Sequence, residues 1–373
     1  MADFASIINA VKPKQRTNRY KILAALYSLG AATTPVTTSQ INEVLTLHFN
    51  TKVPPNLHAR LREYSSDVCV AAKGQPLQWR LTDNGLVKLR RISGLPLPTT
   101  QQDEGFAIDV AIICALEQPE FSAVTTALGG ASKWREVGSA RYTHVYRQTE
   151  MLTDSGKVLK VVATTSSSMG LTAASIVTTQ LVLQFRPMIV LMIGIAAGTK
   201  DGGKQFGDVL VADPSVDYNS GKVVRQNGIR DFLPDPYPIG LNARLRSVLL
   251  KHRGSSPLFT EIRRGWSRRL PPGENHLHIG PVGAADQVID DADRVLEIQR
   301  NWRKLIGVEM ETYGVYRACH EAPDPKPRFI SFKAVCDFAA EKSDSWQEYA
   351  AYVAAEFALR FLKKEWDALW PKL

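Results

Sequence analysis

The sequence predicts an α/β protein with a mainly parallel or mixed sheet and flanking helices, preceded by a small separate domain. Three observations carry this prediction. From residue 105 onward, apolar runs such as Ala107 to Ala115, Val158 to Thr164, Met188 to Ile193 and Asp208 to Ala212 alternate with helical stretches such as Thr172 to Phe185; strands alternating with helices imply parallel pairing under helical cover. Ser93 to Glu104, rich in Pro, Thr and Gln, reads as a linker. Ahead of it, helical spacing and a hairpin signal form a complete small unit. The expected division is residues 1–92, a linker over 93–104, and a second domain over 105–373.

With 373 residues, 44% hydrophobic and 22% charged, the chain can bury a substantial core, and disorder is not its default state. No uninterrupted apolar run reaches the roughly 20 residues that cross a bilayer. The start, Met1-Ala2-Asp3-Phe4-Ala5, lacks the basic-then-apolar order of a secretion signal. The expectation is a cytoplasmic protein with no membrane contact. Cys69, Cys114, Cys319 and Cys336 are scattered, and without Cys-x-x-Cys or His-rich spacing they read as reduced thiols, with no metal site. The net charge of +9 is uneven: residues 1–103 hold 13 Lys/Arg against 6 Asp/Glu, so attraction to polyanions belongs to that end.

In chain order, Ile22, Leu23, Leu26 and Leu29 recur at helical spacing from Asn18 until Gly30 stops the run. Helices are also expected over Thr38 to Phe49 and Pro55 to Tyr64, with Pro near the start of the latter. Val68 to Ala72 and Leu77 to Leu81, joined by Lys73-Gly74-Gln75-Pro76, read as a hairpin, and a last helix starts at Thr82-Asp83. This order resembles a winged helix-turn-helix module. Arg60, Arg62 and Lys73 are candidate nucleic-acid contacts; docking of a protein partner is the equal alternative, with these basic residues as a solvated face.

In the second domain, Ile306 to Val315 reads as a strand entering a helix and contains Glu309 and Glu311. Phe329 to Asp337 reads as a buried strand with a carboxylate at its C-terminal end, where α/β sheets place ligands. Two acids near one sheet edge suggest work on a polar small molecule. Ile113 to Val124 is a strand end turning into a helix through Glu117 and Glu120, Ala163 to Leu171 is a small, hydroxyl-rich turn, and Met192 to Gly198 is a Gly-rich strand end. Gly198 to Lys204 matches Gly-x-x-x-x-Gly-Lys, but Gln205 replaces Ser/Thr and a strand follows instead of a helix, which excludes a P-loop.

Taken in order across residues 107–363, these motifs resemble the nucleoside phosphorylase superfamily, especially the branch containing methylthioadenosine/S-adenosylhomocysteine nucleosidase. The resemblance implies that Glu311, beside Met310 and Glu309, holds the ribose hydroxyls, and that Asp337 sits beside purine N7. It further implies Ser167 as a ribose-side or nucleophile-side hydroxyl, Met169 under the sugar, Gly194 in the base-pocket lining, and Val288 in the segment that covers the purine. Several members have a stacking aromatic at the position of Val288, so Tyr313 is an alternative stacking partner; Cys336 stands where many have Ser. Nucleosidases of the family keep a Glu at the first turn to activate water, where phosphorylases keep Gly-Asp-Pro-x-Arg. The acids here favour hydrolysis, with Glu120 first and Glu117 second for that role.

The basic run over 251–269 offers Arg263, Arg264 and Arg268 as candidate 5′-phosphate ligands. The run from Trp346 through Tyr349 and the following alanines resembles nucleosidase-like domains of bacterial antiphage effectors and of modular immune proteins of fungi. The expected function is therefore N-glycosidic hydrolysis of a purine nucleoside or nucleotide, adenine type favoured, with no cofactor and in a homo-oligomer. A nucleotide-sensing DNA-binding regulator and a phosphate-dependent phosphorylase are the alternatives.

Overall fold

The computed structural model describes residues 7, 17–32, 34–49, 56–72, 76–93, 105–137, 143–200, 202–226, 228–254, 257–339 and 344–371. The chain divides into two compact units, Met1–Glu104 and Gly105–Leu373.

In the first unit α1 (Asn18–Ser28) begins at Thr17, whose hydroxyl accepts from the Tyr20 amide at 3.2 Å. It is followed by β1 (Val36–Thr37), α2 (Thr38–Phe49), α3 (Leu57–Glu63), β2 (Val68–Ala72), β3 (Gln78–Leu81) and α4 (Asp83–Ser93). The strands form an antiparallel sheet in the order β1-β3-β2. Tyr20, Leu23, Leu26, Ile41, Leu61 and Trp79 centre its core, and the Trp79 indole N–H donates to Thr38 Oγ1 at 3.0 Å. Asp67 is buried between Lys88 at 2.8 Å and Arg19 at 2.5 Å. Burial opposes its charge, but hydrogen bonds from Lys88 and Arg19 outweigh burial and hold its pKa below the usual value.

The second unit is built on nine strands: β4 (Ile108–Cys114), β5 (Arg135–Val137), β6 (Tyr146–Leu152), β7 (Val158–Thr165), β8 (Pro187–Gly198), β9 (Val209–Asp217), then, after a separate hairpin of β10 (Gly221–Gln226) and β11 (Ile229–Pro234), β12 (Leu277–Ala284), β13 (Gly307–Glu309) and β14 (Arg328–Asp337). Their order is β13-β12-β9-β14-β8-β4-β7-β6-β5, and β13 pairs a second time, with β8. The sheet is mixed. The β4–β7, β4–β8, β8–β14, β9–β12 and β12–β13 pairs are parallel, and the remainder antiparallel. Pairings such as Cys114 with Thr165, Asp337 with Ala197 and Glu309 with Ala284 gather the C-terminal ends of six strands on one edge.

Helices cover both faces. On one side α5 (Ser122–Ala127), α7 (Ala243–Leu249), α8 (Pro257–Gly265) and the long α11 (Gln347–Leu369) pack on the sheet; on the other lie α6 (Leu171–Phe185) and α10 (Thr312–His320), while α9 (Ala292–Asn301) follows β12. In α11, Tyr349, Val353, Phe357, Phe361, Leu362, Trp366 and Leu369 are buried at helical spacing, and Phe357 stacks on Phe259 at 4.7 Å. All four cysteines are free thiols. Among the described residues no helix is long and apolar enough to cross a membrane.

Candidate active site

The gathered strand ends surround a cleft of about 270 Å³. Glu120, Glu309, Met310, Glu311, Asp337, Met169, Val288 and Ile195 are among its lining residues. The sequence disperses these residues over more than 200 positions, and parallel pairing brings them to one edge.

Glu120 arrives through a single wide helical turn, Glu117–Phe121, that follows extended Leu116. Its side chain turns back under the strand ends. Oε2 accepts from the amides of Ala115 at 2.8 Å and Leu116 at 2.9 Å, and Oε1 accepts from Ile195 at 2.8 Å. Gly194 makes this approach possible: a Cβ there would lie 2.1 Å from Glu120 Oε1. Gly194 does not line the cleft, so its expected place in the base-pocket wall is corrected to that of a spacer for Glu120. Glu117 instead lies at the surface, ion-paired to Arg147 at 2.9 Å.

The second group is a buried charge cluster. Lys333, on β14, is 1% exposed, and its ammonium lies 2.9 Å from Glu311 Oε2 and 3.4 Å from Glu309 Oε2. Glu309 also accepts from the amides of Glu311 and Thr312, each at 3.0 Å, which caps the start of α10. Its carboxylate therefore braces the turn carrying Glu311 while still facing the cleft. Glu311 Oε1 accepts from Gly170 N at 3.2 Å.

One ammonium among three carboxylates leaves excess negative charge in a buried site. Burial raises the pKa of Glu120, and the field of Lys333, which lowers it, does not compensate. Burial raises Glu309 in the same way. For Lys333 burial acts downward, but Glu311, Glu120 and Glu309 together hold the ammonium protonated, above its ordinary value. A carboxylate whose pKa is raised is, once ionised, a better proton acceptor than a free glutamate.

Across the cleft, Asp337 Oδ1 accepts from Ala339 N at 2.8 Å, and the Cys336 thiol lies 3.4 Å from Oδ2. Ala339 sits at φ 55°, a left-handed conformation uncommon for a residue with a Cβ. Where many family members have a Ser hydroxyl, Cys336 offers Asp337 a weaker, thiol donor.

Other expected residues fall differently. Ser167 shares the turn with Met169 but is exposed and does not line the cleft. Val288 lines the mouth. Tyr313 packs against the core cluster that contains Leu210, Tyr316 and Val335, and it does not line the cleft. Arg263 bonds Asn275 Oδ1 at 3.3 Å, Tyr349 Oη at 3.2 Å and Pro271 O at 3.0 Å, joining α8 to α11. Arg268 pairs with Glu348 and covers Trp266, and Arg264 is exposed; none of these three arginines lines the cleft. Glu348 does follow Gln347, which is at the cleft.

In the first unit Arg62 lines a groove of about 700 Å³ with Thr38, Ser39, His58, Pro76 and Leu77. Arg60 pairs with Glu63 at 3.2 Å, and Lys73 lies outside the described residues. Among the described residues no cluster of His, Cys, Asp and Glu suited to a metal ion is present.

Sequence reasoning gave no role to Lys333 or to Asp286, whose carboxylate accepts from Leu171 N. Lys333 carried a usable signal. A charged residue inside the apolar run Phe329 to Cys336 demands buried partners.

A family model described as the phosphorylase superfamily matches residues 109–364. A death domain-containing ATP nucleosidase of Amphimedon queenslandica is 26% identical over 208 residues, covering 54% of this chain and 38% of that protein. The ATP nucleosidase Cap17 of Escherichia coli is 24% identical over 230 residues, covering 58% of this chain and 44% of its own length. The chain thus spans less than half the length of these two relatives. The crystal structure of 5′-methylthioadenosine/S-adenosylhomocysteine nucleosidase from Neisseria meningitidis, in complex with methylthio-immucillin-A, superposes with a TM-score of 0.51 at 19% identity, covering 68% of this chain and 98% of that one.

Proposed function

Since the chain belongs to the phosphorylase superfamily, we propose that its cleft hydrolyses the N-glycosidic bond of a purine nucleoside or nucleotide, adenine type favoured. The carrying observation is the buried Glu120, fixed by three amides beside the Lys333 cluster in the cleft that Asp337 also lines. Breaking the C1′–N9 bond leaves an oxocarbenium-like sugar and an electron-rich base. Catalysis must therefore supply a proton to the base and an oxygen nucleophile to C1′.

Asp337 donates its proton at N7 as the bond breaks. Glu120 takes one proton from a water whose oxygen bonds to C1′, and the products are free purine and the sugar carrying a new 1-hydroxyl. Glu311, oriented by Lys333 and Gly170, accepts from the ribose hydroxyls. The names of the two relatives favour ATP as one substrate. Among the described residues the cleft lining holds no Lys or Arg, so the base and sugar are the parts it grips and any 5′-phosphates extend beyond it.

The test is chromatography of ATP, AMP, adenosine and methylthioadenosine after incubation with the protein, with and without inorganic phosphate. Free adenine formed without phosphate supports the hydrolase. Release that needs phosphate makes the protein a phosphorylase. No release from any of them, with the Asp337→Asn and Glu120→Gln proteins binding the compounds as the parent does, would point to a nucleotide sensor. A nucleotide-depleting effector in antiphage defence, with the first unit taking nucleic acid or a protein partner at the Arg62 groove, is the biological role we favour; ATP as the preferred compound would support it.

A further inference from the structure

The cleft is roofed by two segments far apart in sequence, the turn before α6 and the irregular stretch after β12, and one carboxylate joins them. Gln287, Val288 and Ile289 line the cleft from one side and Met169 from the other. The Leu171 amide, at the first residue of α6, donates to Asp286 Oδ1 at 2.5 Å across 115 positions. The preceding amide, Gly170 N, donates to Glu311.

The local sequence leaves this place open to a distant residue. The residue before α6 is Gly170, which has no capping side chain, and the first turn of α6 carries no acid. Gly170 sits at φ +114, and a Cβ there would meet Asp286 Oδ1 at 2.4 Å. A helix of 15 residues that begins without its own cap presents free amides and a partial positive charge, and Asp286 supplies both the acceptor and the anion. On its other flank the segment is held by the Ala285 amide bonding Glu309 O at 3.2 Å and by burial of Ala285 and Ile289.

We propose that Asp286 is a positioning residue for the reaction. It clamps the base-covering segment to the α6 turn, and so sets the gap between Val288 and Met169 into which the nucleoside fits. The chemical groups are held by other bonds, so losing the clamp loosens substrate capture and leaves the chemical step. This rests on the reading of the cleft as a nucleosidase site.

The test has two independent readouts on Asp286→Ala and Asp286→Asn in the full chain. The first is amide hydrogen exchange without ligand. Asp286→Ala should speed exchange about tenfold in residues 166–171 and also in 285–290, because a cap bond contributes on that order. Asp286→Asn, which keeps an acceptor oxygen, should restore most of the protection. Faster exchange at 166–171 alone would mean a simple helix cap and overturn the clamp, as would no change in either segment.

The second readout is steady-state adenine release. KM should rise about tenfold in Asp286→Ala with kcat within about threefold, since lost capture appears in KM and lost chemistry in kcat, and Asp286→Asn should recover most of the rise. A fall in kcat at unchanged KM would overturn the assignment. If the parent protein releases no base at all, the nucleosidase reading fails, and the exchange result still decides whether the clamp exists.

Discussion

Replacing Gly194 with alanine would place a methyl group 2.1 Å from Glu120 Oε1, with the carboxylate pinned by three amides and unable to retreat. The expected result is a fall in kcat of about a hundredfold, the scale of a 1 Å misplacement of a catalytic group. An overpacking penalty of about 1–3 kcal/mol should appear in urea unfolding. Glu120 itself gives a pH prediction. Burial raises its pKa, so the protonated, inactive form persists to higher pH than for a free glutamate. As pH falls, kcat/KM should drop through a point above the ordinary glutamate range near about 4.3, and the residual rate of Glu120→Gln should lack that limb. A pH profile of both proteins checks this. Sequence alone left Glu120 and Glu117 as alternatives, because both are acids at a helix start. Burial separates them, and burial depends on β8, some 75 positions away. Gly194 was misplaced for the same reason: what crowds a strand glycine is set by a turn that the local sequence does not specify.

At the level of elements, α11 carries the largest share of the apolar face against the sheet. Phe357 lies between Phe259 at 4.7 Å and Phe332 at 5.9 Å, fully buried. Phe357→Ala should destabilise the second unit by about 3–5 kcal/mol through lost transfer energy and an unfilled cavity, measured by urea denaturation with unchanged m-value. Trp366 and Leu369 continue the buried stripe of Tyr349, Val353 and Phe357 to the end of the helix. The parallel strands were legible as apolar runs. The hairpin of β10 and β11 was not, since Gly221 to Gln226 offers little alternation and, among the described residues, pairs only with its own partner strand. β8 extends to Gly198 through glycine and alanine, poor strand formers, because pairing with β13 and β14 holds the backbone extended there.

For the whole molecule, each of the two units has its own core. Scanning calorimetry should therefore resolve two transitions, one of which disappears when residues 1–104 are removed. The excess of basic residues over 1–103 adds a further expectation for the same experiment. Short duplex DNA at low salt should raise that transition alone, as a ligand that binds only the folded form does, and the rise should fade as salt increases. A rise in neither transition would leave the Arg62 groove to a protein partner. Sheet order was beyond sequence reasoning, because neighbours such as β8 and β14 are about 140 positions apart and parallel pairing leaves no local turn signal.

The three-residue strand β13 is bonded along both of its edges, to β12 and to β8. It acts as a keystone: the acids at its end cannot shift unless two ladders open together. The lips over the cleft lie outside these ladders and are joined to each other by the Leu171–Asp286 bond. Gentle warming should therefore rob the molecule of its grip on a ligand while the arrangement beneath remains intact, and cooling should return that grip without refolding.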